Sequence, residues 1–196
     1  MSARTRLALG LVGIAATASL VRRDEVGPRE VAVFRAVNDL PDDWYRPVWV
    51  VMQAGALGAA PVAAGVARAA GRPRLAGQLL AGGSCAWLLS KVLKRSVQRP
   101  RPVVLLPDTH CRGRDASGLG YVSGHAAVAV ALAAAALPHL GPRGRSAVVV
   151  TVPSVGLARM YVGAHLPLDV LGGAALGVAV DAAVSLLPPG RGPARR

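Results

Sequence analysis

Aromatic residues are scarce in this 196-residue chain, which contains one Phe, three Trp and three Tyr. Even so, 53% of its residues are hydrophobic and its mean hydropathy is +0.42. A soluble domain of this size normally fills its core with more aromatic side chains. Small residues in apolar helices instead suit close packing between helices in lipid. The composition therefore indicates a membrane protein with several spans.

Acidic residues and cysteines are also few, with 10 Asp and Glu against 23 Lys and Arg, and two Cys. A net charge of +13 can accompany nucleic-acid binding, but here the cations lie between apolar stretches and form no basic arm. We therefore expect no nucleic-acid partner. Cys85 lies in an apolar stretch and Cys111 in a polar loop, so a disulfide between them is not expected.

Six apolar segments follow one another, at roughly residues 7–21, 47–67, 75–93, 123–140, 146–162 and 167–187. About 20 helical residues cross a bilayer core, and tilt or local thinning compensates for the shorter segments. No alternating strand pattern appears, so helices are the spanning structure that fits. The sequence predicts an all-α, polytopic membrane protein: one domain over residues 1–196 with a bundle of six transmembrane helices and the site at one membrane face.

The N-terminal segment follows Arg4 and Arg6, as the apolar part of a signal peptide would. A charged stretch, residues 22–25, occupies the place where a small-residue cleavage site is expected, so we expect a retained first helix. Residues 188–196 consist mainly of Pro, Gly and Arg and are expected to form a disordered tail.

The connection over residues 22–46 is expected to lie at the membrane surface. Apolar residues recur there at a spacing of three, at Val31, Phe34 and Val37, which predicts an interfacial helix. Trp44 and Tyr45 then mark a membrane interface, where amphipathic rings are enriched.

Counts of Lys and Arg bear on the orientation of the helices. If the N-terminus is cytoplasmic, the cytoplasmic ends of the segments carry 10 Lys and Arg residues and the outer ends carry 13. The plain count therefore does not decide the orientation. The 91–114 loop supplies seven of the outer cations and Arg159 one more, and a phosphate site needs cations for its own reasons. When these eight residues are set aside, ten Lys and Arg residues remain on the inner side and five on the outer side. We therefore expect a plasma-membrane protein whose third-to-fourth and fifth-to-sixth connections face the extracytoplasmic side.

Three polar clusters lie at the ends of these segments and together supply three cations, two histidines, a carboxylate and a small-residue turn. They are Lys94-x6-Arg101-Pro102, Ser123-Gly124-His125 and Arg159-x5-His165-x3-Asp169. Arg offers phosphate a planar fork of donors and Lys a point charge, while histidine can attack phosphorus or move a proton. The set suits the binding and transfer of a phosphate.

The third cluster predicts its own local structure. Pro167 is expected to be the first residue of the last helix, because its missing N–H costs nothing there. Leu166 is then the N-cap and Asp169 the third helical residue, one turn from His165. We expect Asp169 to accept a hydrogen bond from one ring nitrogen of His165, which would leave the other nitrogen free to attack.

The other two clusters flank helix ends in a similar way. Ser123 is expected to cap the fourth helix, and Gly124 lets the backbone approach a ligand closely. His125, in the first turn, is positioned to donate a proton to a leaving oxygen. Lys94 and Arg101 flank the end of the third helix, where prolines keep residues 99–102 extended.

Each cluster by itself has an ordinary interpretation. A Ser-Gly-His tripeptide arises by chance, and basic residues at helix ends often anchor lipid headgroups. The predicted topology places all three clusters on one membrane face, which favours a phosphate-binding site instead. Asp181, about 18 Å deeper in the sixth segment, is expected to approach the inner headgroups rather than to function, and His110, His139 and Cys111 are assigned no role.

At these residues the sequence resembles the type 2 phosphatidic acid phosphatase family, which is related to the vanadium-dependent haloperoxidases. The family pattern is K-x6-RP, then PSGH, then SR-x5-H-x3-D, and the resemblance spans about residues 91–172. The chain departs from it twice, with Val122 in place of the usual proline and Ala158 in place of the usual serine. The first change should relax the approach to the N-cap, and the second removes a hydroxyl near the phosphate.

The resemblance implies roles for the matching residues. It implies that His165 is a nucleophile forming a phosphohistidine, that Asp169 orients it, and that His125 protonates the leaving alcohol. The phosphate would be held by the remaining matched residues, which are Lys94, Arg101, Arg159, Ser123 and Gly124. The family implies no metal and no cofactor, and the lack of a carboxylate cluster in the sequence agrees.

The expected function is therefore a membrane phosphatase acting on a lipid phosphate or diphosphate. Phosphatidate, phosphatidylglycerophosphate and polyprenyl phosphates or diphosphates all remain open, and the sequence predicts no oligomeric state. The alternative is a catalytically silent membrane scaffold that binds lipid phosphates, against which His125, His165 and Asp169 argue, because binding alone needs cations more than histidines. A haloperoxidase is disfavoured because those relatives are soluble.

Overall fold

The computed structural model describes residues 1–21, 24–113 and 118–187, and helices make up most of these residues. Its α-helices are α1 (Ala3–Leu20), α2 (Pro28–Asn38), α3 (Tyr45–Met52), α4 (Ala59–Ala69), α5 (Pro73–Val97), α6 (Pro102–Leu105), α7 (Gly124–Ala136), α8 (Pro142–Tyr161) and α9 (Pro167–Leu186). Short 3₁₀ turns cover Asp42–Trp44, Gln53–Gly55 and Leu137–His139. The all-α prediction is confirmed, and the tail 188–196 lies outside the described residues.

Five of the six predicted segments correspond to one helix each: α1, α5, α7 with its 3₁₀ extension, α8 and α9. The helix α5 is longer than its apolar stretch and carries Lys94 in its last turn. The predicted interfacial helix is α2, and Phe34 on it is completely buried.

The prediction of one continuous helix over residues 47–67 is wrong. The structure divides this segment into α3 and α4, which meet through the 3₁₀ turn at a bend of 67°. Gly55 lies against the backbone carbonyl of His125, where a Cβ would overlap with that oxygen. Ala56 then adopts an extended conformation that ends the turn. The bend brings the Gln53–Gly55 turn into contact with α7, close to the second cluster.

By length and apolar composition, α9 is the one helix in the described residues that could cross a membrane unaided. The bent stretch Asp42–Gly55 with Ala59–Ala69 meets the same criterion as a pair. The number of six spans therefore stays a prediction.

The helix α9 lies at the centre of the packing, in contact with α1, α5 and α7, while α4 packs on α5 and both α2 and α3 pack on α8. Small residues make these approaches close, as expected for helices packed without bulky side chains. A Cβ on Gly173 would overlap with the Ser123 carbonyl oxygen. This contact places the N-terminus of α7 directly against the first turns of α9.

Asp181 is buried inside the bundle and forms an ion pair with Arg6 of α1. Its other carboxylate oxygen accepts a hydrogen bond from Gln78 Nε2 of α5 at 3.1 Å. The carboxylate thus joins three helices, three turns along α9 from Asp169. This partnership explains a charged residue in an apolar segment without a catalytic role.

Candidate active site

The first cluster is fixed by the end of α5. Gln98, with φ of 58°, ends the helix in the left-handed conformation, and its N–H donates to the Lys94 carbonyl. The Lys94 ammonium donates to the carbonyls of Leu119 and Gly120 at 2.8 and 2.7 Å. Two of its three donors therefore hold the loop that leads into α7, and the third is available to a ligand.

The second cluster caps α7 as predicted. Ser123 is the N-cap, and its Oγ accepts the Ala126 N–H at 3.4 Å. The Ser123 N–H donates to the carbonyl oxygen of Asp169 at 2.8 Å, which ties this helix start to α9. His125 lies in the first turn, and the backbone approach beside Gly124 is tight, because a Cβ there would lie 2.9 Å from the Ser90 hydroxyl.

The third cluster also adopts its predicted structure, with Leu166 as N-cap, Pro167 as the first helical residue and Asp169 as the third. The Asp169 Oδ2 accepts the Leu166 N–H at 2.9 Å. The Arg159 carbonyl accepts the N–H groups of Ala164 and His165, which folds the 162–166 turn back over the end of α8.

These clusters meet around one cavity of about 230 Å³ at one end of the bundle. Six of the eight predicted site residues line it: Lys94, Arg101, Gly124, His125, Arg159 and His165. Ser123 and Asp169 are completely buried behind this lining. A neighbouring cavity of about 520 Å³ shares Arg101, His125 and Arg159 with the first.

Several buried donors point to an anion in the smaller cavity. The Nε atoms of Arg101 and Arg159 are buried and have no hydrogen-bond partner in the described part of the chain. Buried polar groups are otherwise nearly always paired. Two guanidinium groups with free donors on one small cavity can bind phosphate oxygens.

His165 and Asp169 are neighbours without a short hydrogen bond between them. The distance from Nδ1 to Oδ2 is 3.5 Å, at the outer limit for a hydrogen bond. The Asp169 carboxylate is instead held by the Leu166 N–H and by the Arg99 guanidinium, whose Nη1 lies 3.0 Å from Oδ1. The carboxylate therefore faces Nδ1 of His165, and the ring is oriented so that its other nitrogen remains for chemistry.

The environment of His165 favours its neutral form. The residue is 2% exposed, and burial lowers the pKa of its ring well below the usual 6.5, with further lowering from the nearby cations of Lys94, Arg159 and Arg101. A lowered pKa means that the ring loses its proton more readily, so at neutral pH the ring nitrogen carries a lone pair. A neutral imidazole is the form that can act as a nucleophile.

Comparison with known proteins identifies the family. The model of the PAP2 superfamily matches residues 75–193, more than half of the chain. The chain belongs to the PAP2 superfamily. The matched PAP2 region includes all three clusters and the cavity that they line.

The chain is similar to decaprenylphosphoryl-5-phosphoribose phosphatase from Mycobacterium tuberculosis. The two are 36% identical over 120 residues, which are 59% of this chain and 63% of that protein. The chain thus matches less than two thirds of that relative's length.

Two crystal structures share the PAP2 fold of this chain. Aquifex aeolicus LpxE superposes with a TM-score of 0.69 and 20% identity over 82% of this chain and 97% of LpxE. The transmembrane PAP2-type phosphatidylglycerolphosphate phosphatase of Bacillus subtilis gives a TM-score of 0.68 and 23% identity over 92% and 94%. At these identities the likeness shows the fold alone.

The two departures from the PAP2 pattern lie in buried positions. Val122 is completely buried, and the hydrogen bond from the Ser123 N–H to Asp169 fixes the chain just after it. Ala158 is 3% exposed and packs against Met52, Tyr161 and Val162, which leaves an apolar surface beside Arg159.

Sequence analysis missed an ion-pair network behind this PAP2 site. The fully buried Arg99 donates to both oxygens of Glu30, at 3.0 and 2.6 Å, as well as to Asp169. Glu30 Oε1 also accepts the Leu168 N–H at 3.0 Å. The helix α2 is thus joined to the first turn of α9. Arg99 was visible in the sequence as part of the stretch 99–102 that was predicted to be extended, but its partner on α2 was not.

A metal site is not apparent from the donor set. Within residues 1–21, 24–113 and 118–187, no group of three or more His, Cys, Asp or Glu side chains is arranged to hold a metal ion. Asp169 and Glu30 already share the charge of Arg99.

Proposed function

We propose that this PAP2 protein is an integral membrane phosphatase that hydrolyses a lipid phosphate monoester or diphosphate through a phosphohistidine intermediate. The observation that carries the proposal is the single cavity onto which two histidines and the free donors of two arginines converge. The third donor of Lys94 completes a cationic cradle. An anion-binding scaffold would need the cations but not a buried, neutral histidine beside a carboxylate.

The first step transfers the phosphoryl group to the protein. The Nε2 atom of neutral His165 attacks phosphorus and the bond between phosphorus and the leaving oxygen breaks. His125, which takes up a proton when the anionic phosphate enters the cationic cradle, gives that proton to the leaving oxygen. Asp169 faces Nδ1–H of His165 and stabilises the positive charge that develops on the ring. Their 3.5 Å separation is expected to shorten in the substrate complex, because catalytic hydrogen bonds often tighten there.

The second step releases phosphate. A water molecule gives a proton to His125 as its oxygen attacks phosphorus, and the bond from phosphorus to Nε2 of His165 breaks. Lys94, Arg101 and Arg159 hold the equatorial oxygens through both steps, and the N–H groups at the start of α7 add dipolar stabilisation. Both histidines return to their initial protonation states.

The proposed substrate class is supported by the names of the relatives. The mycobacterial relative is named for a decaprenylphosphoryl sugar phosphate, and the Bacillus neighbour for phosphatidylglycerolphosphate. We therefore include polyprenyl-linked phosphates, phosphatidylglycerophosphate and phosphatidate among the candidates. Phosphate release by the detergent-purified protein from a panel of these lipids tests the proposal. Tight lipid-phosphate binding without release would instead support the silent scaffold.

Metal independence gives a separate prediction. Phosphate release should persist in excess EDTA and should be blocked by vanadate, because the cradle of cations can hold vanadate in a geometry that resembles the transition state. Both effects are measured in the same release assay. Loss of activity on chelation, with recovery on adding Mg²⁺, would contradict the metal-free mechanism.

We further propose six spans, with the site on the extracytoplasmic side of the plasma membrane. In a variant without Cys85 and Cys111, single cysteines at the exposed Asp108 and Arg143 report the two ends of the bundle. On intact cells, an impermeant thiol reagent should label Asp108→Cys but not Arg143→Cys. The reverse pattern would refute this orientation.

A further inference from the structure

The cavity is lined by one cation that the three clusters do not include. Lys91 lies on α5 one turn before Lys94, so both side chains share a face of that helix. They are the only two lysines in the sequence. Within the described residues, the Lys91 ammonium makes no hydrogen bond or ion pair and lies 5.5 Å from the centre of the Trp87 ring.

Trp87 places this cation beside the proposed acid. The rings of Trp87 and His125 meet edge to face, with their centres 6.0 Å apart. Trp87 also packs close to Gly124, since a Cβ on Gly124 would lie 3.4 Å from the Trp87 ring. Lys91 and His125 therefore line the same cavity, and the Trp87 ring lies near both of them.

Lys91 lies one helical turn further into the predicted span than Lys94 of the cradle. It precedes Lys94 by three residues, about 4.5 Å along the helix. Its neighbours Leu88 and Val92 are exposed apolar residues, 61% and 56% accessible. Lys91 is itself exposed at the edge of the cavity, so its ammonium is free to meet an anionic group of a ligand that enters from this side.

We propose that Lys91, held on Trp87, binds a second phosphate group that the leaving group carries between the reacting phosphate and the hydrocarbon chain. The inference rests on the proposed phosphatase function. It narrows the substrate to lipids with a phosphorylated leaving group: either a diphosphate, or a phosphomonoester joined through a polyol to a phosphodiester. A lipid with one phosphate leaves the Lys91 ammonium without an anionic partner.

Substrate pairs that differ by one phosphate test this assignment. The first pair is farnesyl monophosphate and farnesyl diphosphate, and the second is phosphatidate and phosphatidylglycerophosphate with identical acyl chains. We expect kcat/KM to be at least about tenfold higher for the two-phosphate member of one pair, as one charge-assisted contact allows. A preference in the first pair identifies a diphosphate, and a preference in the second identifies a phosphodiester.

The decisive variant is Lys91→Gln, with Arg95→Gln as its matched control. Arg95 is an exposed cation of the same helix and does not line the cavity. Lys91→Gln should lower the ratio of the two kcat/KM values about tenfold from its wild-type value, while the value for the monophosphate stays within about twofold. Arg95→Gln should keep the wild-type ratio.

The proposal is overturned if the wild type prefers neither two-phosphate lipid, or if Lys91→Gln leaves the ratio unchanged. It is also overturned if Lys91→Gln lowers kcat/KM equally for both lipids of a pair, or if Arg95→Gln also removes the preference for the two-phosphate lipid. A wild type that hydrolyses none of the lipids refutes the proposed function instead. In that case, calorimetric measurement of binding decides the role of Lys91. Lys91→Gln should weaken the binding of methylenediphosphonate about tenfold and leave the binding of methylphosphonate unchanged. Equal effects on the two ligands would overturn the role proposed for Lys91.

Discussion

Replacing His165 with alanine should lower phosphate release on the order of 10⁴-fold or more, because the variant lacks the atom that attacks phosphorus. The ring is buried, its neutral form is favoured, and it faces the cationic cradle. The remaining groups can still bind the lipid phosphate, so KM should change far less than kcat. Steady-state phosphate release from a preferred lipid in detergent measures both constants.

Two further histidine variants make this test specific. His139→Ala removes an imidazole at the other end of α7, where its carbonyl meets Arg72, and should retain activity. His125→Ala should lose about 10²–10⁴-fold and regain part of it with a leaving group that needs no proton. Near-wild-type activity in His165→Ala would refute the assignment of the nucleophile.

Replacing Arg99 with methionine should cost about 3–5 kcal/mol in the free energy of unfolding, the range for removing one partner of a buried ion pair. Arg99 is completely buried and neutralises both Asp169 and Glu30, which would remain buried without a counter-charge. The released carboxylate of Asp169 should also turn away from His165. We therefore expect a large fall in the midpoint of thermal unfolding together with a large loss of kcat.

Controls separate this effect from the general loss of a cation. Arg95→Met removes an exposed charge from the same helix and should leave both quantities near wild type. Glu30→Gln keeps an oxygen for the Leu168 N–H and for Arg99, so its effect should be smaller than that of Arg99→Met. Equal stability of Arg99→Met and wild type would show that the network contributes nothing.

The local structure of the clusters could be predicted from sequence because it depends on neighbouring residues. Pro167 marks the start of α9, and the position of Asp169 in the first turn follows from it. Ser123 caps α7 for the same kind of reason. The apolar segments give the helices, since a run of small apolar residues without breaks favours a long helix in lipid.

What could not be predicted depends on contacts between distant residues. The bend at Gly55 is set by the carbonyl of His125, which no property of residues 47–67 reveals. Arg6 and Asp181 pair across 175 positions of sequence, and Arg99 finds Glu30 on a surface helix. The distance between His165 and Asp169 likewise depends on how the Arg99 guanidinium divides its donors between two carboxylates.

A covalent phosphoryl group on His165 is the most direct test of the account. The protein is mixed with a lipid substrate whose terminal phosphate is ³²P-labelled, stopped within milliseconds under alkaline conditions that preserve phosphohistidine, and its labelled peptides are sequenced by mass spectrometry. The account predicts label on His165 in the wild type and none in His165→Ala. If hydrolysis of the intermediate limits the rate, labelled protein must accumulate during turnover. Rapid turnover of the wild type without any protein-bound label under that condition would contradict the account.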